Sequence, residues 1–384
     1  MSLNLSFLLA DQDDCSEVQS NTFIVSRILS GLGAFGVALQ NYPAVEIFIQ
    51  GIARTRAPGM AVISGLSQPL AFFSGGICGG LINFWMNVAL LDRFFARMLS
   101  DNDYYYQSLS PWQQLQYFSG IFVFIVTGIL FGLMAFTFSM EGPLAILSVA
   151  AGIFVAIIMT IQEIETWLSS YSSPIQEEEP LTYVQQWGKI CGHIIAIGNV
   201  FALSLLFTLG LTESLIALQV AGITALIVGF TISFTFGAFT EYYFYNYYLA
   251  NFCKELDKNW LLMLQTDSAY LGLLCISTNA FVNAALTYSG VELLASLLLG
   301  VGISLPSLPM ITALSLVSAF FAGSASMVLG LDFWIGDRST TQPIALTTIE
   351  STFFNASSLD SDPQLVTSGL SIDDTHSSLN TFLL

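Results

Sequence analysis

Charge is what this sequence lacks. Only 9% of its 384 residues are Asp, Glu, Lys or Arg, against roughly 25% in a soluble domain. So few charges cannot cover the surface of a folded chain this long in water. Basic residues are scarcer still, at nine Lys plus Arg. They form no cluster, so a nucleic acid partner is excluded, because its phosphates would go unneutralised. Two histidines, His193 and His376, and five scattered cysteines (Cys15, Cys78, Cys191, Cys253, Cys275) hold no CxxC pair. A zinc site and a disulfide framework are therefore not expected, and no metal or cofactor is implied. P-loop, GxSxG and HExxH motifs are missing, as is a charged or histidine pair deep in an apolar run. No enzyme is expected. No basic residue precedes the mildly apolar Ser2–Ala10 stretch, and acids follow it. A cleavable signal peptide is not expected, and the first span serves as its own insertion signal.

What the chain has in quantity is apolar residues: 54% of the total, with mean hydropathy +0.71. They fall into nearly charge-free blocks of about 17–25 residues, the length an α-helix needs to cross hydrocarbon ~30 Å thick. Continuous runs of this kind predict helices and exclude a transmembrane barrel, whose strands alternate. The fold class is an all-α polytopic transmembrane bundle. Eight spans are expected near 23–41, 60–91, 117–138, 144–166, 189–211, 215–240, 269–288 and 308–334. They form a transmembrane domain over 23–338, between a polar N-terminal segment, 1–22, and a disordered tail, 339–384, rich in Ser, Thr and Asp.

Connections alternate in length. Met140–Pro143 and Thr212–Ser214 are very short, whereas 92–116, 167–188 and 241–268 are long. This pattern predicts four helical hairpins. Each first helix is followed by an acid (Glu46, Glu141, Glu213, Glu292), and each second helix ends in acids beside aromatics. The first and last hairpins share Ala71-Phe72-Phe73 with Ala319-Phe320-Phe321, and Phe84-Trp85 with Phe333-Trp334. An internal repeat is the expectation these matches raise. Two further segments, 43–53 and 291–305, are too short to cross and read as interfacial or re-entrant helices. Arg93, Arg97, Lys189, Lys254, Lys258 and Arg338 lie on the long-loop side, and only Arg54 and Arg56 on the other. Both termini are therefore expected in the cytoplasm. Tyr104–Tyr106 and the tyrosines of 242–248 belong at headgroup level.

Small residues at four-residue spacing (Gly76 and Gly80, Gly128 and Gly132, Ser148 and Gly152, Ala322-Ser326-Gly330) predict close helix contacts. Polar residues inside spans carry more information, because lipid penalises them. Cys275, Asn279, Asn283 and Thr287 make a stripe along the seventh span; Asn83 and Asn87 lie on the second, and Thr224, Thr231 and Thr235 on the sixth. Two readings are open. These groups hydrogen-bond between helices, or they line a transport pathway in which amides and hydroxyls replace part of a solute's hydration. In the pathway reading the residues are Asn83, Asn87, Asn279, Asn283, Thr287, Thr231 and Thr235. Glu163, Glu165, Glu241 and Asp332, at the predicted cytoplasmic ends of spans, are either interfacial anchors or an acidic vestibule that concentrates cations. His193 lacks a second ligand at useful spacing and reads as a hydrogen-bonded residue.

The function expected is therefore a transporter or channel for a cation or small polar solute. The alternative is a membrane-anchored scaffold whose acidic loop (Glu177–Glu179) and tail recruit a protein partner. The end of the tail resembles the polar C-terminal secretion signals of multi-pass effectors exported by intracellular bacteria, and that resemblance implies targeting. In either reading the lipid bilayer is a partner.

Overall fold

A computed structural model describes residues 12–54, 60–99, 111–171, 182–240, 246–254, 256–265, 269–304 and 307–340. The tail beyond 340, the acidic run at 177–179, Tyr104–Tyr106 and Glu241 lie outside them. Within these residues the chain is almost wholly helical, with no strand; short turns such as 141–144 and 218–221, and a 3-10 turn at Ala145–Leu147, join the helices. The helices are α1 (Gln12–Ala53), α2 (Met60–Gly65), α3 (Ser67–Ala71), a π-helical segment (Phe72–Cys78) that runs into α4 (Gly79–Leu99), α5 (Pro111–Met140), α6 (Ser148–Tyr171), α7 (Tyr183–Ala217), α8 (Gly222–Thr240), α9 (Asn246–Lys254), α10 (Leu256–Leu264), α11 (Ala269–Gly300) and α12 (Leu308–Thr340).

Eight stretches among these helices are long and apolar enough to cross a membrane: 22–53, 67–95, 118–140, 145–165, 183–217, 222–239, 269–300 and 308–331. The number agrees with the expectation. The ends of the first and seventh do not. Residues 43–53 are not a separate interfacial piece but the second part of α1, and 291–300 continue α11. At 42 residues, α1 is about 63 Å long, twice the hydrocarbon thickness of ~30 Å. Pro43 sits inside it and does not end it. The loop expected over 241–268 also holds structure, the short helices α9 and α10.

Local chemistry accounts for several ends. Pro111 opens α5, where a missing N–H is harmless. Thr182 and Gln185 close a capping box on α7: the Gln185 N–H donates to Thr182 Oγ1 at 3.3 Å, and the Thr182 N–H donates to Gln185 Oε1 at 3.0 Å. The C-termini of α7 and α11 close alike. Val220 N–H donates to the Leu215 carbonyl and Gln219 N–H to that of Ile216, while Ile303 and Gly302 pair with Leu298 and Leu299. The turning residue is left-handed in both, Gln219 at φ 65° and Gly302 at φ 85°.

Small residues set the helix contacts. A Cβ on Gly132 would lie 2.6 Å from both the Ala156 Cβ and the Gly152 carbonyl, so α5 and α6 approach backbone to backbone there. Gly188 and Gly192 of α7 play the same part against Cys253 and Leu249 of α9. Met263, Leu331 and Trp334 join Leu249 in one buried cluster, and Phe138, Leu206, Leu209 and Met134 centre another. Large apolar side chains such as Ile146, Ile223, Ile227 and Phe320 face outward, as expected where lipid is the solvent.

Candidate functional site

The two irregular stretches of the bundle face each other. Pro43 lacks the N–H that would bond to the Leu39 carbonyl, so α1, though continuous, misses one hydrogen bond about three-quarters of the way along. Opposite lies the π-helical segment, a geometry that wraps one extra residue into a turn. Contact between them is close: a Cβ on Gly75 would fall 2.6 Å from the Asn41 carbonyl oxygen, and one on Gly79 would fall 3.1 Å from the Asn41 amide nitrogen. Only glycine permits that approach. Asn41 and Gln40 are buried, at 3% and 4% exposure. The Gly79 position also reaches Val282 of α11, 3.8 Å away. Three helices therefore meet at Asn41.

Polar groups surround this junction. On α4, Asn83 donates its amide to the Gly79 carbonyl at 2.9 Å. On α11, Asn283 donates to the carbonyl of Asn279 at 2.9 Å and to its side-chain oxygen at 3.1 Å, and Thr287 donates to the Asn283 carbonyl at 2.9 Å. The expected stripe therefore exists as a ladder along one helix, turned back on its own backbone. Ser289 ties α11 to α1 by donating to the Ala44 carbonyl at 2.6 Å, next to the proline.

Toward the short-turn side the lining becomes charged. Gln50 donates to Glu46 at 3.0 Å, and the Tyr42 hydroxyl also reaches that carboxylate. Across from them the Tyr288 hydroxyl donates to Glu292, Ser315 Oγ lies 3.4 Å from the same carboxylate, and Arg54 acts on Tyr288 electrostatically. Phe48 packs edge-on against Tyr288, with ring centroids 5.2 Å apart. The acids at the short-turn side thus divide in two. Glu46 and Glu292 flank the α1–α11 seam, whereas Glu141 and Glu213 lie within electrostatic range of each other elsewhere.

At the other end of α1, Ser26 and Arg27 hold Asp92 of α4. The hydroxyl donates at 2.6 Å and the guanidinium at 2.8 and 2.9 Å, while Arg27 also covers the Phe23 ring at 4.1 Å. Ser30 is fully buried one turn above, and its hydroxyl has no partner. Asn87 is 5% exposed, with its amide nitrogen unpaired beside Gly33. Trp85 and Trp334 meet edge to face, 6.1 Å apart.

The remaining residues expected at a site lie elsewhere. Thr231 and Thr235 are exposed on α8, their hydroxyls donating to the carbonyls of Ile227 and Thr231. Glu163 and Glu165 are buried, at 1% and 4% exposure. Glu163 lies one turn beyond Thr160, which meets Gly128 of α5, and Glu165 two turns beyond Ile158, which meets Gly33 of α1. Glu241 is outside the described residues, and of Asp332 only the backbone is described. Among the described residues no three His, Cys, Asp or Glu side chains are grouped to hold a metal.

Asn41, Gln40 and Pro43 were not singled out from the sequence. The signal was present as two adjacent amides, Gln40 and Asn41, beside a proline at the end of an apolar run. It was hidden because Pro43 reads as the end of the first helix.

No family model matches this chain, and neither does a curated protein or a solved structure.

Proposed function

We propose that the protein is a multi-pass membrane transporter or channel for a cation or small polar solute, with its site at the α1–π–α11 junction. The observation that carries this reading is Asn41 of α1, two residues before Pro43 and buried against the π segment. Irregular backbone at membrane depth is tolerated where protein or a polar cavity covers it, and π turns are frequent at functional sites. Polar side chains continue along α1 in both directions, from Ser26 and Ser30 to Gln40, Glu46 and Gln50. In this reading Asn41, Asn83, Asn279, Asn283 and Thr287 replace part of a solute's water shell, and Glu46 and Glu292 raise the local cation concentration at one mouth. The chain is organised as four hairpins, with both termini cytoplasmic, and it has no enzymatic activity.

Uptake into proteoliposomes tests it. Asn41→Leu keeps the branching and the number of heavy atoms and removes the amide. It is expected to cut solute flux at least about tenfold, the effect of losing ~1.4 kcal/mol at the rate-limiting barrier, while the detergent-solubilised protein elutes as before. Unchanged flux would reject Asn41 as a site residue.

One observation favours a second reading. Asn83, Asn283 and Thr287 already bond to their own helices, which suits a bundle that only anchors a scaffold. In that case the residues beyond 340 recruit a protein partner. Deleting 341–384 then removes partner recruitment, and no solute flux exists to be lost.

A further inference from the structure

Beside the junction lies a cavity of about 330 Å³, at the lower end of the range of small-molecule sites. Leu39 and Tyr42 of α1, Pro69 and Phe72 of the second span, and Ser139 and Gly142 at the end of α5 form its walls. Tyr42 stands edge-on to Phe72, ring centroids 6.5 Å apart. The lining is almost wholly apolar, and the exposed Phe72, Leu70, Met140 and Leu144 around it face the lipid side of the bundle. Three lining residues carry polar groups: Gln68, which is exposed, Tyr42, whose hydroxyl reaches Glu46, and Ser139. Ser139 is 2% exposed, and its hydroxyl has no hydrogen-bond partner. An O–H left unpaired in such a place is unfavourable.

We propose that this cavity binds one acyl chain of a membrane phospholipid, with the Ser139 hydroxyl donating to the ester carbonyl. Depth identifies the occupant. Ser139 lies at the very end of the 118–140 apolar stretch, the part of a span nearest the headgroups, and Leu39 precedes Tyr42 by one turn of α1, back toward the middle of the bundle. An ester at Ser139 therefore sends its chain inward along Leu39, Tyr42 and Phe72. The occupant is apolar along its length and carries one acceptor at its shallow end. A diacyl phospholipid has that arrangement and surrounds the protein at high concentration. The bound chain covers the α1 face next to Pro43, in keeping with the demand that irregular backbone not face lipid unsupported. The site stands whether or not the protein transports a solute.

The test uses the full chain in phosphatidylcholine liposomes containing a trace of phosphatidylcholine with a diazirine in one acyl chain. After illumination, adducts are mapped by mass spectrometry of peptides. Adducts are expected to concentrate on residues 68–72 and 139–144. Gly142→Trp fills the cavity from the turn, where a Cβ meets nothing nearer than 3.5 Å, and is expected to abolish the concentrated labelling. Ser139→Ala removes only the donor and is expected to lower it about fivefold, the effect of one hydrogen bond near 1 kcal/mol. Elution as a single species in detergent checks that both variants fold. Labelling spread evenly over outward faces such as Ile223 and Ile227, or undiminished in Gly142→Trp, overturns the site. Undiminished labelling in Ser139→Ala overturns the part given to the hydroxyl. Labelling by a diazirine free fatty acid but not by the phospholipid overturns the phospholipid as its occupant.

Discussion

The α5–α6 contact and the contact between α1 and the second span are both built on glycine, yet they serve different ends. In α5–α6, Gly128 and Gly132 meet Thr160, Ala156 and Gly152 along two regular helices. Glycine there brings backbones together, and the gain is dispersion over a long seam. Between α1 and the second span, Gly75 and Gly79 admit Asn41 and its carbonyl where α1 carries Pro43 and the second span takes a π turn. Glycine there makes room for polar groups. The same residue type thus marks a mechanical seam in one region and an irregular, functionally suggestive one in the other.

The largest expected effect breaks the mechanical seam. Gly132→Leu drives side-chain atoms into the Ala156 Cβ and the Gly152 carbonyl, and should destabilise the bundle by about 3 kcal/mol, the upper part of the overpacking range. Gly76→Leu in the π segment is the control. The nearest atom that a Cβ there would meet is 3.8 Å away, on Phe72 four residues earlier in the same helix, so the cost should stay below about 0.5 kcal/mol. Denaturant unfolding in detergent micelles compares the two, and equal losses would erase the distinction between the regions.

Pro43→Ala comes next, because it restores the backbone hydrogen bond that proline omits. The new N–H can bond to the Leu39 carbonyl, and unfolding stability should rise by about 1–2 kcal/mol, part of the ~3 kcal/mol that proline costs a helix interior. Flux should fall at the same time if the missing bond serves the site. A rise in stability with flux intact would make its absence an accident of packing.

The α7–α9 contact extends the comparison to a third glycine seam, between the 183–217 span and the short helix α9. Burial, with the neighbouring Cys191 adding to it, pushes the Cys253 thiol up from 9.0 to about 11. The thiolate is the reactive form, so at neutral pH Cys191, which is exposed, should react with a maleimide while Cys253 stays unlabelled. The folded state keeps the Cys253 proton over the interval in which the unfolded chain loses it. This group's share of stability is therefore complete below pH 9 and lost as pH rises to about 11. Labelling of Cys253 at pH 7 as fast as Cys191 would contradict its burial against Gly188.

The smallest effect belongs to the ion pair at the end of α1. Arg27 and Asp92 keep 32% and 42% of their side-chain surface exposed, so solvent screens them. Arg27→Ala should cost about 0.2–1 kcal/mol, less at high salt. A larger loss, measured in the same unfolding assay, would show that Ser26 and Asp92 depend on it as a unit.

Length and apolarity of the runs determined the helical class and the eight spans, because a backbone in lipid has few ways to satisfy its own hydrogen bonds. The polar stripe of Asn279, Asn283 and Thr287 was also legible, since four-residue spacing places side chains on one face wherever the helix goes. What these side chains bond to was decided by tertiary structure: Asn283 could as well have reached another helix as the Asn279 carbonyl. So were the continuity of α1 through Pro43 and of α11 through Gly300. A proline in a span reads as a stop until neighbouring helices cover the carbonyl it leaves free, and here the π segment and Ser289 of α11 close around that place. The meeting at Asn41 joins residues far apart in the chain, from three helices. Local spacing carries no trace of such a meeting, because it depends on which glycines happen to face one another when the helices pack.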